Sequence, residues 1–289
     1  MASFDSEREP AIPEPVIEDG IDYWNTQPAS LDGVLGGFGS GSLPRIDSLG
    51  SRLFLLNLYP ELCTVPSAIK PLTPQINHRI RALDVGAGIG RVTADVLLHL
   101  VSDVVILEPV ESFVQEALAR ARASVQNIST RERPVWTGLA DQTKSVTLLQ
   151  GTLQVFDPLN PHRVTFLDRL GYQPTRPQDE IGMGFDVIWC QWCLGHLSDP
   201  DLVTFLTRSH AALREKEKGR SLIVVKENLC SDKDDGTADT IFDVQDSSLT
   251  RSDLAWKNIF KEAGLKLVDQ KVQEGLPQGL YAVKMYALR

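Results

Sequence analysis

Apolar residues in this chain gather in short runs, and the stretches between the runs carry apolar positions at helical spacing. Ile80, Leu83 and Val85, then Asp103 to Glu108, Val146 to Leu149, Phe185 to Cys190 and Ser221 to Lys226 read as buried strands. Helices are predicted over Val92 to Leu100, over Val110 to Val125 with Phe113, Val114, Ala117, Leu118 and Ala121 on one face, over Pro200 to Leu213, and over Ser252 to Glu262. Two more strands, near Lys266 to Gln273 and Leu280 to Leu288, close the chain. Strands that alternate with helices predict an α/β, Rossmann-like, doubly wound sheet with its site beyond the carboxyl ends of the strands.

The rest of the chain organises around that sheet. Residues 1–19 are acidic and proline-bearing and read as a disordered tail, which leaves 20–289 as a single domain. An N-terminal lid and helical extension is expected over 20–60. Within it, Leu31 to Gly39 joins aromatic and glycine residues in a lid-like pattern, and Ile46 to Tyr59, with Leu49, Leu53, Leu56 and Leu58, reads as an amphipathic helix. Leu62 to His78 is a proline-bearing linker. Stretches near 126–145 and 157–182 read as insertions on the surface, the alternative being that one of them flanks a ligand channel. A polar loop holding Asp243, Asp246 and Ser248 precedes the last helix.

Composition narrows the function classes. The chain has 289 residues, 42% hydrophobic and 23% charged, with a formal net charge of -9. These are the proportions of a soluble globular protein. The negative charge argues against broad nucleic-acid binding and suits a basic peptide partner. Cys63, Cys190, Cys193 and Cys230 lack zinc-site spacing and read as reduced thiols, so no metal is expected. No secretory leader or membrane-spanning run is evident, and the expected location is the cytoplasm, with the nucleus also open.

The chemistry-bearing stretch is Leu83-Asp84-Val85-Gly86-Ala87-Gly88-Ile89-Gly90-Arg91. Glycines at a strand-to-helix turn let the backbone approach a small ligand, and amides at the new helix terminus face it. A dinucleotide fingerprint places its third glycine one position later, where this chain has arginine, so the turn favours adenosylmethionine over a nicotinamide. Glu108 ends the second strand 22 residues beyond Gly86, where a carboxylate accepts ribose hydroxyls. Gln154, Gln191, His196 and Asn228 fall at the same sheet edge. The closing antiparallel strands suit a class I adenosylmethionine-dependent methyltransferase, a seven-stranded, mostly parallel sheet with an antiparallel C-terminal strand. Methyl transfer to an amine needs an aligned neutral nucleophile and a place for its proton. His196, with Trp24 and Trp192 as aromatic walls for a cation, meets that need.

Several separated stretches together resemble the alpha-N-terminal protein methyltransferases. They are Tyr23-Trp24 with Asp32 to Gly39, Leu83 to Thr93, Asp186 to Trp192 through Gly195-His196-Leu197, Lys226-Glu227-Asn228, Asp246-Ser247-Ser248 with Arg251, and Tyr281 with Ala287-Leu288-Arg289. The resemblance implies that the chain transfers methyl groups from S-adenosyl-L-methionine, leaving S-adenosyl-L-homocysteine. The acceptor is the free amino group of proteins that begin Xaa-Pro-Lys or Xaa-Pro-Arg, ribosomal proteins among them, and the enzyme is expected to be a monomer. It implies cofactor contacts at Gly86, Gly88, Arg91, Glu108, Leu153, Gln154 and Gln191, with Glu108 standing where the family usually has aspartate. It implies substrate contacts at Trp24, Leu35, Trp192, Asn228, Asp243, Ser248 and Tyr281, and proton handling by Asp246 and His196. Val244 stands where a second acidic residue is frequent, which weakens the expected reading of a basic third residue. The alternative is a small-molecule amine N-methyltransferase of the same fold.

Overall fold

The computed structural model describes residues 12–63, 65, 78–130, 134–176, 180–215 and 219–289. The expected tail up to residue 11 and most of the 62–78 linker lie outside the described residues. The chain opens with α1 (Ile17–Thr26) and α2 (Leu43–Leu58), then enters the sheet through β1 (Arg81–Val85). There follow α3 (Arg91–Asp95), β2 (Asp103–Glu108), α4 (Glu111–Val125), β3 (Ser145–Gln150) and β4 (Thr165–Gly171). Next come β5 (Val187–Gln191), α5 (Asp199–Ala211), β6 (Leu222–Leu229), β7 (Thr240–Asp243) and β8 (Ser248–Arg251). The chain closes with α6 (Asp253–Glu262), β9 (Leu267–Val272) and β10 (Ala282–Leu288).

The main sheet has eight strands in the order β4-β3-β2-β1-β5-β6-β10-β9. β1, β2, β3, β5 and β6 are parallel, and β10 is antiparallel to both β6 and β9. Without β4, this is the expected seven-stranded sheet. β4 is an addition: the stretch read as a surface excursion pairs antiparallel with β3 and becomes the sheet edge. That edge lies at the opposite end of the strand order from β10 and β9, and no described residue of 157–182 lines the cavities described below.

Alternation along the strands decides the layers. Ala82, Val104 and Ile106 pack on one face with Phe54 and Leu55 of α2, Val92 of α3 and Ala117, Leu118 and Ala121 of α4. Leu83, Val85, Val105 and Leu107 pack on the other with Leu202, Phe205 and Leu206 of α5 and Trp256 and Phe260 of α6. Each such large side chain contributes roughly 1.5–3 kcal/mol when buried. Ser198 and Ser252 cap α5 and α6 by accepting the Asp201 and Ala255 amides.

Three expectations change. Ile17 to Asp19, assigned to the tail, form the first turn of α1, and Val16 N–H donates to Ser247 Oγ at 2.9 Å. In α2 the leucines at 49 and 53 face outward, 56% and 48% exposed, while Asp47, Ser48 and Ser51 are buried with Phe54 and Leu55. The helix forms, but its inner stripe is partly polar. The polar loop of residues 240–251 is a β7–β8 hairpin. The 126–145 insertion is anchored by Trp136, buried against Gly90, with its amide donating to Ser124 Oγ at 2.9 Å.

Candidate functional site

Two cavities meet above the carboxyl ends of the parallel strands. The first, of about 1000 Å³, is lined by all seven residues expected to hold the cofactor: Gly86, Gly88, Arg91, Glu108, Leu153, Gln154 and Gln191. The turn leaving β1 requires glycine for two reasons. Gly86 has φ +59°, and a Cβ there would sit 2.3 Å from Cys193 Cβ. Gly90 has φ +78°, and its Cβ would lie 2.5 Å from the Trp136 ring. Side chains are excluded at both positions, and at Gly86 and Gly88 the chain lines the cavity without a side chain.

Glu108 is 4% exposed, and its oxygens accept Gly88 N–H at 2.7 Å and Val110 N–H at 2.9 Å. It therefore fixes the glycine turn to the end of β2 while its remaining lone pairs line the cavity. Burial raises its pKa to about 7 against the opposing pull of those two amides. Asp84, beneath the turn, accepts a hydrogen bond from Thr93 Oγ1 at 2.6 Å and is raised to about 6, again by burial. Arg91 donates to Asp47 Oδ2 at 2.6 Å, and its guanidinium lies 5.4 Å from the Trp192 ring centre. Gln191 also turns to Asp47, its Nε2 lying 2.9 and 3.0 Å from the two carboxylate oxygens, while its Oε1 accepts Trp189 Nε1–H. Ile17, Gly20, Ile21 and Trp24 of α1, with Val34, line the same cavity.

The donor set fits adenosylmethionine. A side-chain-free turn, a carboxylate at the end of the second strand, an arginine at the head of α3 and the apolar Leu153 match a nucleoside joined to an amino acid. Adenosylmethionine supplies an electrophilic sulfonium methyl when bound.

The second cavity, of about 1240 Å³, is lined by Leu35, Asn228, Asp246, Ser248 and Tyr281, along with Glu227. Trp24, Val34, Trp192 and His196 line both cavities and form the wall between them. Six of the seven expected substrate residues thus converge. Asp243 does not: it is exposed at the end of β7, where its Oδ1 accepts Gln245 N–H at 2.8 Å. Its charge, with that of Asp246, adds to the burial that raises the pKa of the Tyr23 hydroxyl on α1.

His196 and Asp246 meet beside α1. His196 Nε2 accepts Trp24 Nε1–H at 3.0 Å, so the neutral ring carries its proton on Nδ1. Burial lowers the His196 pKa, and the nearby Asp246 charge and Ser247 backbone oppose that only in part. Asp246 Oδ1 accepts Ser248 Oγ–H at 2.7 Å. Gly20 makes this approach possible: a Cβ there would fall 3.1 Å from His196 Nδ1 and 3.4 Å from the Asp246 carbonyl oxygen.

Three supporting residues had no role in the sequence reading. Glu227 Oε1 accepts the Cys193 and Leu194 amides, both at 3.0 Å, which holds the turn between Trp192, at φ +55°, and His196; burial raises its pKa to about 7. Arg251, fully buried, donates to the Leu194 and Leu197 carbonyls and to Asp199, and so clamps the other side of that turn. Asp47 binds Arg91, Gln191 and Lys226 together. Glu227 and Arg251 lay in the stretches that carried the resemblance, whereas the only signal for Asp47 was a carboxylate within an otherwise apolar helical pattern.

A family model described as AdoMet dependent proline di-methyltransferase matches residues 13–289. The chain is 36% identical to alpha N-terminal protein methyltransferase 1 of Schizosaccharomyces pombe, an alignment that covers 96% of this chain and 97% of the relative. It is 31% identical to human N-terminal Xaa-Pro-Lys N-methyltransferase 1, covering 92% of each. Among solved structures, a SAM-dependent methyltransferase of Leishmania major superposes with a TM-score of 0.65 at 29% identity, covering 94% of this chain and 82% of that one. A Burkholderia thailandensis 1,6-didemethyltoxoflavin-N1-methyltransferase with bound S-adenosylhomocysteine shares the fold, with a TM-score of 0.53 at 17% identity over 100% of this chain and 98% of that one.

Proposed function

The chain belongs to the AdoMet dependent proline di-methyltransferases, and on that premise we propose that it methylates the free α-amino group of proteins beginning Xaa-Pro-Lys or Xaa-Pro-Arg. The observation that carries the reading is the shared wall: Trp24, Trp192 and His196 stand between a cavity suited to adenosylmethionine and one bearing a carboxylate suited to an ammonium. Relatives named for Xaa-Pro-Lys substrates favour a protein amino terminus over a small-molecule amine. We read the enzyme as a monomer of cytoplasm and nucleus with ribosomal proteins among its substrates. No helix among the described residues is long and apolar enough to cross a membrane.

An α-amine has a reference pKa of about 8 and must lose its proton before its lone pair attacks. The Asp246 carboxylate, steadied at Oδ1 by Ser248, attracts the ammonium and takes up that proton through its other oxygen. The His196 Nε2 lone pair is already engaged by Trp24, so His196 orients the indole and forms a neutral wall. The faces of Trp24 and Trp192 favour the cationic amine as it enters. Asn228, Ser248 and Tyr281 supply polar contacts for the first peptide units, and Leu35 an apolar one.

Mass spectrometry of Ser-Pro-Lys and Pro-Pro-Lys peptides incubated with the protein and adenosylmethionine tests the reading. Added methyl groups on the terminal nitrogen are expected, with no product from an amino-terminally acetylated peptide. Methylation of an internal lysine in that blocked peptide would overturn the substrate class.

A further inference from the structure

Asp47 lies in the N-terminal extension, outside the alternating strands and helices, yet it is fully buried and uses both carboxylate oxygens. Oδ2 accepts from Arg91 Nη1 at 2.6 Å, Gln191 Nε2 lies 2.9 and 3.0 Å from the two oxygens, and Lys226 Nζ is 2.5 Å from Oδ1. Lys226 is itself fully buried and reaches the Asp47 carbonyl, Ser51 Oγ and Gln273 Oε1, which locks α2 against the end of the sheet. A buried carboxylate with these partners stays ionised, since its two cations and the Gln191 amide offset the cost of burial.

The two residues it orients line the first cavity and are read above as cofactor contacts, and the Arg91 guanidinium suits the carboxylate at the amino-acid end of the cofactor. The Arg91 side chain is long and otherwise free to choose among rotamers, whereas the bond to Asp47 fixes one nitrogen and leaves the other guanidinium N–H groups available toward the cavity. The Gln191 amide is fixed at both ends, by Asp47 at Nε2 and by Trp189 at Oε1. We propose that Asp47 is the positioning residue for the amino-acid end of adenosylmethionine, acting through Arg91 and Gln191 from the N-terminal extension. The proposal rests on the reading of those two residues as cofactor contacts.

Titration calorimetry with two ligands tests it. S-adenosylhomocysteine carries the amino-acid end, and 5'-methylthioadenosine lacks it. In Asp47→Asn, S-adenosylhomocysteine is expected to bind at least about tenfold more weakly, while methylthioadenosine changes by no more than about twofold. Equal weakening of both ligands, or of neither, would overturn the proposal, because general loosening of the pocket does not distinguish them. Asp47→Asn/Lys226→Met, which leaves no buried lysine without its carboxylate, supplies a second variant and is expected to show the same selectivity. Arg91→Gln separates the two levels of argument. If it leaves S-adenosylhomocysteine affinity unchanged, the reading of Arg91 fails and the proposal fails with it. If it is selective while Asp47→Asn is not, only the proposal fails.

Discussion

The cavity that fits the cofactor and the one proposed for the peptide share a wall but are built differently. The first is framed by strand ends and by residues that the sheet buries: Glu108, Gln191 and Arg91 are 4%, 6% and 7% exposed. The second is framed by a two-stranded hairpin, the end of β6 and the segment before β10, and Tyr281 on it is 50% exposed. Its working groups are held by a few polar tethers: Val16 to Ser247, Ser248 to Asp246 and Trp24 to His196. One side is fixed by the core and the other by a few individual hydrogen bonds, so damage on each side should register in a different quantity.

Asp246→Asn should break the peptide side most severely. Loss of the proposed proton acceptor is expected to lower kcat by roughly 10²-fold or more. S-adenosylhomocysteine affinity should stay within about twofold of the native value, since Asp246 does not line that cavity. Steady-state rates beside a binding titration check both halves, and near-native turnover would remove Asp246 from the chemistry.

The complementary break is Glu108→Ala, expected to weaken cofactor binding by about 10-fold to 100-fold through loss of charge-assisted hydrogen bonds worth about 1.5–3 kcal/mol. The peptide KM, measured at saturating cofactor, should not move. The same carboxylate gives the affinity a pH dependence. Burial raises its pKa to about 7, and ribose hydroxyls in the proposed site would donate to the ionised form, so binding below pH 7 would first expel a proton. Affinity is therefore expected to fall about tenfold from pH 8 to pH 6, and to lose that slope in Glu108→Gln. A native slope retained in the glutamine variant would place the titrating group elsewhere.

Gly20→Ala tests whether the two sides are separable at the wall. The residue lines the cofactor cavity, yet its added Cβ would press on His196 at 3.1 Å. Helix propensity favours alanine by about 1 kcal/mol, so the thermal midpoint should hold or rise. Turnover should fall by about threefold to tenfold as His196 and Trp24 shift. A variant that is more stable and equally active would show the His196 contact to be tolerant.

The same contrast explains what was legible in the sequence. The glycine turn, the strand-end Glu108 and the succession of strands and helices along the chain are local patterns: each needs only neighbouring residues and the strand period to be read. Asp47 was not legible, because its meaning lies in Arg91, Gln191 and Lys226, which stand 44, 144 and 179 residues away. Leu49 and Leu53 of α2 suggested part of an inner face yet point outward, while Leu56 and Leu58 pack partly against the core. β4 was hidden in a proline-interrupted stretch, and it becomes a strand only because β3 offers it an edge. Asp243 was placed in the site by resemblance to a loop, whereas the β7–β8 pairing carries its side chain to the rim.

That rim position sets the smallest expected effect. Asp243 and Val244 are both exposed, Val244 at 86%, so a basic third residue of a peptide would be read there by surface electrostatics, without burial. Restoring a second carboxylate with Val244→Asp should therefore add only a surface ion pair, about 0.2–1 kcal/mol. The ratio of kcat/KM for Xaa-Pro-Lys over Xaa-Pro-Gln peptides should rise by about twofold to fivefold at low ionic strength. Because the Debye length shrinks to about 3 Å at 1 M salt, the gain should vanish there, while cofactor affinity, set by buried groups, stays constant between the variant and the native chain. A gain that survives high salt would mean that the peptide's basic side chain is buried on binding, and the exposed hairpin would then have to close over it.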